Sequence, residues 1–384
     1  MQERFQIYLI KPTRYDDDGY PLQWWRSIIP SNSLACMAGI IDDAFARGVL
    51  ADVPRDVHII DEINTKVSTR RIIADIGKAG GRCFIGLIGV QSNQFPRAMD
   101  LAREFRAAEL PVCIGGFHVS GCISMLKELP PELVEAQQLG ISMFAGEAEE
   151  NRIDEVLLDA WSGKLKPLYN HLKDTPGLEG APIPLLPREQ AERNINKYAS
   201  FDLGRGCPFE CSFCTIINVQ GRKSRFRSPD DLEEIIRANA AMGVNRFFLT
   251  DDNFARNKSW EAFADRLIEL RDEGFPVRLV LQVDVLAHRI PRFIEKCISA
   301  GADQIFIGLE NINADNLEAA KKRQNRVEDY RTMFLAWKQY PVVITCGYII
   351  GFPNDSYDAV MRDIEILKEE LAVDTLLPDP GSCP

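Results

Sequence analysis

Short apolar runs alternate with amphipathic stretches along nearly the whole chain. Phe5 to Ile10 is apolar and rich in strand formers, and Lys11-Pro12 ends it. Val57 to Asp61, Cys83 to Val90, Pro111 to Gly116 and Ile141 to Gly146 have the same character. Between them the periodicity predicts helices over 33–45, capped by Asn32 or Ser33, and over 69–79 and 96–108. Apolar strands alternating with helices predict a parallel sheet covered on both faces, a doubly wound, Rossmann-like domain. From Leu165 to Asn196 the chain carries Pro167, Pro176, Pro182, Pro184 and Pro187, with Gly177 and Gly180. That density excludes a long helix or a central strand and predicts an extended connector.

The alternation then restarts. Strands are predicted over 199–203, 246–250, 278–283, 304–309 and 342–350, with a weak last one over 373–377. Ser228-Pro229-Asp230-Asp231 reads as a cap with proline at the first helical position, opening a helix through Met242. Further helices are expected over 258–273, 290–300, 314–322, 326–339 and 356–371. Six β/α units predict a partial (β/α)6 barrel, with its site at the carboxyl ends of the strands. The predicted organisation is therefore an α/β chain of a domain over 1–164, a linker over 165–197 and a barrel over 198–384.

Composition changes this picture little. At 384 residues the chain has ample material for two or three cores. A formal net charge of −11 argues against a nucleic-acid partner. No run of about 18 apolar residues predicts a transmembrane segment. The N-terminus lacks an apolar signal core, so ten cysteines read as those of a reducing, cytoplasmic protein. Cys36, Cys83, Cys113, Cys297 and Cys346 sit among apolar neighbours and read as core. Cys122 and Cys383 have no assigned role.

Chemistry concentrates at predicted strand ends. In the first domain these are Gln91-Ser92-Asn93-Gln94, the loop from Gly115-Gly116 through His118 to Gly121, and Gly146-Glu147-Ala148-Glu149-Glu150. Glycines there let a ligand approach the backbone, or simply make tight turns. No G-x-G-x-x-G follows the first strand, which disfavours a nicotinamide dinucleotide. His118 has no second ligand at metal spacing and reads better as a hydrogen-bonding group than as a metal ligand. In the second domain, Cys207-x3-Cys211-x2-Cys214 follows the first strand. The spacing is too tight for a disulfide framework and lacks the fourth ligand of a closed zinc site. An iron–sulfur cluster normally takes four protein ligands, so three would leave one iron open to a substrate. Thr250-Asp251-Asp252-Asn253, Gln282 with Asp284, Gly308-Leu309-Glu310-Asn311 and Gly347 to Pro353 fall on the same rim. Polar groups converging above apolar strands form a site.

The cysteine triad, with aromatic Phe213 before its last member, resembles the signature of the radical S-adenosylmethionine (radical SAM) superfamily. The resemblance implies a 4Fe–4S cluster on Cys207, Cys211 and Cys214. Its open iron would be chelated by S-adenosylmethionine and would cleave it to a 5′-deoxyadenosyl radical. Asp251 and Asp252 stand where the family usually has Gly-Gly-Glu to hold the methionine amine. Gly308 and Glu310 resemble the fourth-strand motif near ribose and carboxylate, with Asn311 where serine is frequent. Gly347, Ile349 and Gly351 resemble the motif that packs on adenine. The basic run Arg222 to Arg227 reads equally as an anion-holding strip or a solvated face.

A doubly wound domain before such a barrel resembles the cobalamin-binding class of that superfamily. It implies cobalamin over Ser92, Asn93, Gly115, Gly116, His118, Gly146 and Glu147. Asp-x-His-x-x-Gly is absent at Asp61-Glu62-Ile63-Asn64, so no histidine is expected on the lower cobalt face. The class commonly methylates unactivated carbon through methylcobalamin, acting on a small molecule and drawing electrons from a flavodoxin or ferredoxin. Radical rearrangement or cyclisation without methyl transfer is the alternative, and a non-catalytic iron–sulfur module the third reading. Relatives usually continue beyond the short last strand, so a shortened C-terminus is expected. Nothing in the residues specifies the substrate.

Overall fold

A computed structural model describes residues 3–369, 371 and 374–379. The chain divides into two compact units. The first comprises the residues through Ser200 with 218–220 and 241–244, and the second the remainder.

The first unit runs β1 (Phe5–Lys11), α1 (Asn32–Ala46), β2 (Arg55–Asp61), α2 (Thr69–Lys78), β3 (Cys83–Leu87), α3 (Phe95–Ala107), β4 (Val112–Gly115), α4 (Phe117–Met125), α5 (Pro131–Gln138), β5 (Ser142–Ala145), α6 (Arg152–Ser162), β6 (Leu168–Asn170) and α7 (Arg188–Ala191). The six strands pair in parallel in the order β2-β1-β3-β4-β5-β6. Each face carries its own apolar core, one under α2, α3 and α5 and the other under α1 and α6. This is the predicted doubly wound sheet. Ser31 caps α1, accepting from Leu34 N at 3.2 Å, one residue before the expected cap.

The predicted connector needs correction. Leu168–Asn170 forms β6, the edge strand, where Pro167 precedes the paired residues and removes no ladder bond. The rest packs on the same unit. Leu185 N donates to Ala35 O at 3.3 Å, and Gln190 Nε2 donates to Ile59 O at 2.6 Å. Ile183 O lies 2.2 Å from where a Cβ on Gly39 would stand, so α1 touches this segment backbone to backbone. A second correction concerns 117–121, expected as loop. Phe117 to Met125 is helical, starting directly after Gly116.

The second unit holds β7 (Tyr198–Phe201, which crosses the boundary), β8 (Gly204–Arg205), α8 (Ile216–Val219, also crossing it), β9 (Arg225–Phe226), α9 (Pro229–Ala240), β10 (Arg246–Leu249), α10 (Trp260–Asp272), β11 (Arg278–Val283), α11 (Phe293–Ser299), β12 (Ala302–Glu310), α12 (Ala314–Ala319), α13 (Val327–Trp337), β13 (Val343–Ile349), α14 (Tyr357–Glu369) and β14 (Thr375–Asp379). The sheet order is sequential, β7-β10-β11-β12-β13-β14, and pairing from β10 onward is parallel. Sequential parallel β/α units are the connectivity that the predicted partial barrel requires. Ser228 Oγ accepts from Asp231 N at 3.0 Å and Asp231 Oδ2 accepts from Ser228 N at 2.7 Å, a reciprocal cap at the start of α9. The weak last strand forms as β14; Val373 and Cys383 lie outside the described residues. Among the described residues, no helix is long and apolar enough to cross a membrane.

Candidate functional site

The cysteine loop of the second unit leaves β8, and residues after β10 and β11 brace its start. Asp251 and Asp252, after β10, are the main clamps. Leu203 N donates to Asp251 Oδ1 at 2.7 Å, Asn257 Nδ2 donates to Asp251 Oδ2 at 3.2 Å, and Gly206 N donates to Asp252 Oδ2 at 2.9 Å. Burial, with Asp202 nearby, pushes the Asp251 carboxyl up to about 7 against the lowering effect of these donors. Both aspartates lie beside the cysteine loop. Asp251, however, is buried with its carboxylate turned onto the backbone, so it positions the loop. Gly204 has no room for a side chain, since a Cβ would stand 2.7 Å from Asn257 Nδ2 and 3.1 Å from Asp251 Oδ2. After β11, Asp284 accepts from Arg256 Nη2 at 2.7 Å and from Asn253 Nδ2 at 2.8 Å, and the Arg256 guanidinium lies 5.5 Å from the Phe209 ring centre.

The basic run also turns inward. Arg227 is fully buried and donates from Nε to Asp202 O at 3.0 Å, while Arg222 pairs with Glu210 at 2.7 Å. Arg205 pairs with the same Asp202 at 3.1 Å. The two buried arginines brace the loop from below and leave Lys223 as the exposed part of the run together with Arg222.

Cys211 is buried, while Cys207 and Cys214 are half-buried. Burial pushes the Cys207 thiol up to about 11 and raises that of Cys214; the neighbouring cysteines add to both shifts. Among the described residues, no three His, Cys, Asp or Glu side chains converge on a single-ion site. A single zinc needs its donors at about 2.0–2.3 Å from one point. A cluster binds each thiolate through a different iron, so its ligands stand apart. The three thiols stand on one short loop, close enough for the cysteines to raise one another's pKa.

The other wall is built by β12, β13 and the turn after α12. Glu310 sits in the left-handed region at φ 67°, where the register with β13 shifts, and pairs with the buried Lys322. Lys322 Nζ lies 5.7 Å from the Phe213 ring centre, and Phe213 meets Phe352 edge to face at 6.1 Å. Gly308 leaves space for this pair, since a Cβ would stand 2.8 Å from Glu310 Oε1, and Gly347 leaves space for the Phe306 ring, which a Cβ would meet at 2.9 Å. Asp355 Oδ2 accepts from Gly351 N at 2.8 Å and Phe352 N at 3.0 Å, fixing the loop after β13, and Ile349 ends that strand half-buried. Asn311 is fully buried; its Oδ1 accepts from Asn313 N at 2.7 Å and its Nδ2 has no partner. Phe213, Gly308, Glu310 and Gly347 thus lie close together around Lys322 and Phe306. Lys322 was missed, because a lysine in a basic, helix-ending stretch reads as surface.

In the first unit, the predicted residues follow β3, β4 and β5 at one edge of the sheet. His118 is packed on Phe95 with ring centres 4.2 Å apart, its Nδ1 is 3.2 Å from Ser92 Oγ, and its Nε2 is 3.8 Å from Glu132. Burial lowers its pKa, so the ring is neutral near pH 7 and held side-on, as a hydrogen-bonding residue rather than a presented ligand. The glycines serve their own backbone. A Cβ on Gly116, at φ +143°, would stand 2.2 Å from Val90 N, and one on Gly146, at φ +103°, would stand 2.9 Å from the His171 carbonyl carbon. A Cβ on Gly115 would stand 3.4 Å from Phe144 Cβ, an ordinary contact. The tight-turn reading holds for Gly116 and Gly146. Ser92 and Asn93 are exposed, and Glu147 is buried with its carbonyl accepting from Arg152 Nη1 at 3.2 Å. Lys11 was missed. It ends β1 at the switch point of the sheet, is half-buried, and donates to Gly89 O and Gln94 Oε1. Burial lowers its pKa to about 8.

Residues 202–367 match the Radical SAM superfamily. The chain is 27% identical over 301 residues to the bacteriochlorophyllide d C-8(2)-methyltransferase of Chlorobaculum tepidum, covering 74% of this chain and 63% of that protein. It is 24% identical to the hopanoid C-2 methylase of Rhodopseudomonas palustris, covering 86% of this chain and 58% of that protein. The chain therefore spans about three-fifths of the length of these relatives. Among solved structures, the radical S-adenosylmethionine methyltransferase TsrM from Kitasatospora setae, with cobalamin and a 4Fe–4S cluster bound, superposes with a TM-score of 0.70 at 14% identity. It covers 98% of this chain and 75% of TsrM. The cobalamin-dependent S-adenosylmethionine radical enzyme OxsB, with aqua-cobalamin and S-adenosylmethionine bound, gives 0.65 at 15% identity, covering 99% of this chain and 54% of OxsB.

Proposed function

We propose that the chain, whose residues 202–367 match the Radical SAM superfamily, is a cobalamin-dependent radical SAM methyltransferase acting on unactivated carbon of a small molecule. The observation that carries this is the meeting of Phe213, Glu310, Lys322, Gly308 and Gly347 beside the three cysteines. Cys207, Cys211 and Cys214 would hold a 4Fe–4S cluster. Glu310 and Lys322 offer one anionic and one cationic group in a half-dry site, complementary to the ammonium, carboxylate and hydroxyls of S-adenosylmethionine. Gly347 and Ile349 offer a flat apolar wall for a base. When bound, the three cofactors would supply the electron, the 5′-deoxyadenosyl radical and the methyl group, by reductive cleavage of S-adenosylmethionine and transfer from methylcobalamin. The chain's own residues orient these groups and keep water out.

The cobalamin assignment rests on the doubly wound fold of the first unit and on the relatives. Ser92, Asn93 and His118 would face the cofactor; Gly115, Gly116, Gly146 and Glu147 would shape the edge without contributing a ligand. His118 has both nitrogens occupied by Ser92 and by Glu132 or Cys122, which agrees with a lower cobalt face that lacks histidine. Electrons would come from a flavodoxin or ferredoxin.

Anaerobic reconstitution with iron, sulfide and cobalamin tests the reading. The expected result is a reducible 4Fe–4S signal, bound corrinoid, and 5′-deoxyadenosine formed from S-adenosylmethionine under reduction. Cys211→Ala should lose the cluster and keep the corrinoid. An intact cluster in that variant overturns the site assignment. With methyl-labelled S-adenosylmethionine and an extract as substrate source, label in a product of added methyl mass supports methyl transfer. An unlabelled rearranged product supports the alternative.

A further inference from the structure

The turn between α12 and α13, residues 320–325, belongs to none of the motifs that mark the site, yet it touches the site at four successive points. Ala320 O accepts from Ser212 N at 2.9 Å, inside the cysteine loop. Lys322 pairs with Glu310 and lies over the Phe213 ring. Gln324 Nε2 donates to Cys211 Sγ at 3.4 Å. Asn325 is buried and donates from Nδ2 to Leu309 O at 2.7 Å and Gly308 O at 3.1 Å. The turn is itself anchored, with Lys322 N donating to Leu317 O at 2.8 Å and Asn325 N to Lys322 O at 3.0 Å. A backbone held at both ends, by Ser212 and by the end of β12, leaves Gln324 little freedom to swing away from the sulfur.

From this we propose that Gln324 is a positioning residue for the iron–sulfur cluster, giving the Cys211 thiolate an N–H donor that raises the cluster's reduction potential. The physical reason is charge. Adding an electron to a cluster makes its thiolates more negative, so a donor fixed on one sulfur stabilises the reduced state more than the oxidised one. Hydrogen bonds to ligand sulfurs and their surroundings are recognised levers on cluster potential. Neutral Gln324 provides the donor without a net charge, and its half-buried position limits competition from water. The inference rests on the cluster assignment made above.

The test is a redox titration followed by the paramagnetic signal of the reduced cluster, on the full chain reconstituted anaerobically. Gln324→Leu and Gln324→Met each remove the donor and keep the bulk, and whichever of them folds decides the question. The expected result is an unchanged iron and sulfide content. At a fixed potential, the ratio of reduced to oxidised cluster should be about tenfold lower, equivalent to about 59 mV for one electron. Gln324→Glu, which replaces the donor by a negative charge, should shift the ratio further in the same direction. Potentials unchanged in these variants, with wild-type cluster content, would overturn the role of Gln324 and leave the cluster assignment standing. A wild-type protein that assembles no cluster would overturn both.

Discussion

Asp251 shows how a residue can sit where a motif predicts and do different work. Its carboxyl is buried and held up to about 7, mainly by desolvation. A carboxyl whose folded pKa lies above its unfolded value binds more protons in the native state, so its contribution to stability is full at low pH and is lost as pH rises through the folded value. The window is therefore about pH 4 to 7, with stability falling as pH increases. Asp251→Asn keeps an acceptor for Leu203 N and removes the titration. Denaturation of the cluster-free protein at pH 5 and pH 8 should show the wild type losing about 2–3 kcal/mol more than the variant across that interval. Equal pH dependence in the two proteins would contradict the burial argument. The sequence showed that Asp251 belongs to the rim, because it follows an apolar strand. It could not show which way the carboxylate turns, since that depends on Leu203 and Asn257, 48 and 6 residues away. Lys322 was hidden for a similar reason. Its partner Glu310 is 12 residues earlier, across a helix, and no local pattern couples them.

At the scale of elements, long periodic segments were legible and short or exceptional ones were not. The strands that became β1, β3, β11 and β13 are apolar runs with β-branched residues, and tertiary context only confirmed them. β6 was lost in the proline-rich stretch because it is three residues long and pairs only as an edge. α4 was read as loop because its Gly121 and Ser120 lower helix propensity; burial of Val119, Ser120 and Gly121 against the sheet overrides it. The end of β12 carries an unusual concentration of the proposed site's features. Gly308, the register shift and left-handed Glu310 together turn one carboxylate toward Lys322. In Gly308→Ala the new Cβ would lie 2.8 Å from Glu310 Oε1 and 3.2 Å from Lys322 Nζ, so the pair must separate. Both atoms are the far ends of flexible side chains, which can swing aside at little cost in stability. The expected outcome is S-adenosylmethionine binding weakened at least about tenfold, by equilibrium dialysis or calorimetry, with cluster content and thermal unfolding little changed. Wild-type affinity in Gly308→Ala would remove Glu310 and Lys322 from the binding site.

At the scale of the whole molecule, each unit has its own parallel sheet and its own buried apolar side chains, and the residues proposed for the cofactors are divided between the two. Separate cores imply that local damage stays local. Gly116 provides a severe but confined test. An added Cβ would meet Val90 N at 2.2 Å at a φ of +143°, so Gly116→Ala strains the backbone and displaces the loop after β3 that carries Ser92 and Asn93. The combined cost is about 2–5 kcal/mol, all of it in the first unit. After reconstitution, this variant should retain the paramagnetic signal of the cluster and lose most of its corrinoid absorbance, the mirror image of Cys211→Ala. Corrinoid retained at the wild-type level would show that the edge after β3 and β4 does not hold cobalamin, whatever the fold resembles. Loss of both cofactors would show that the two units unfold as one, and the cluster loop, clamped by Asp251 and Asp252 from within its own sheet, would then depend on more than the second unit provides.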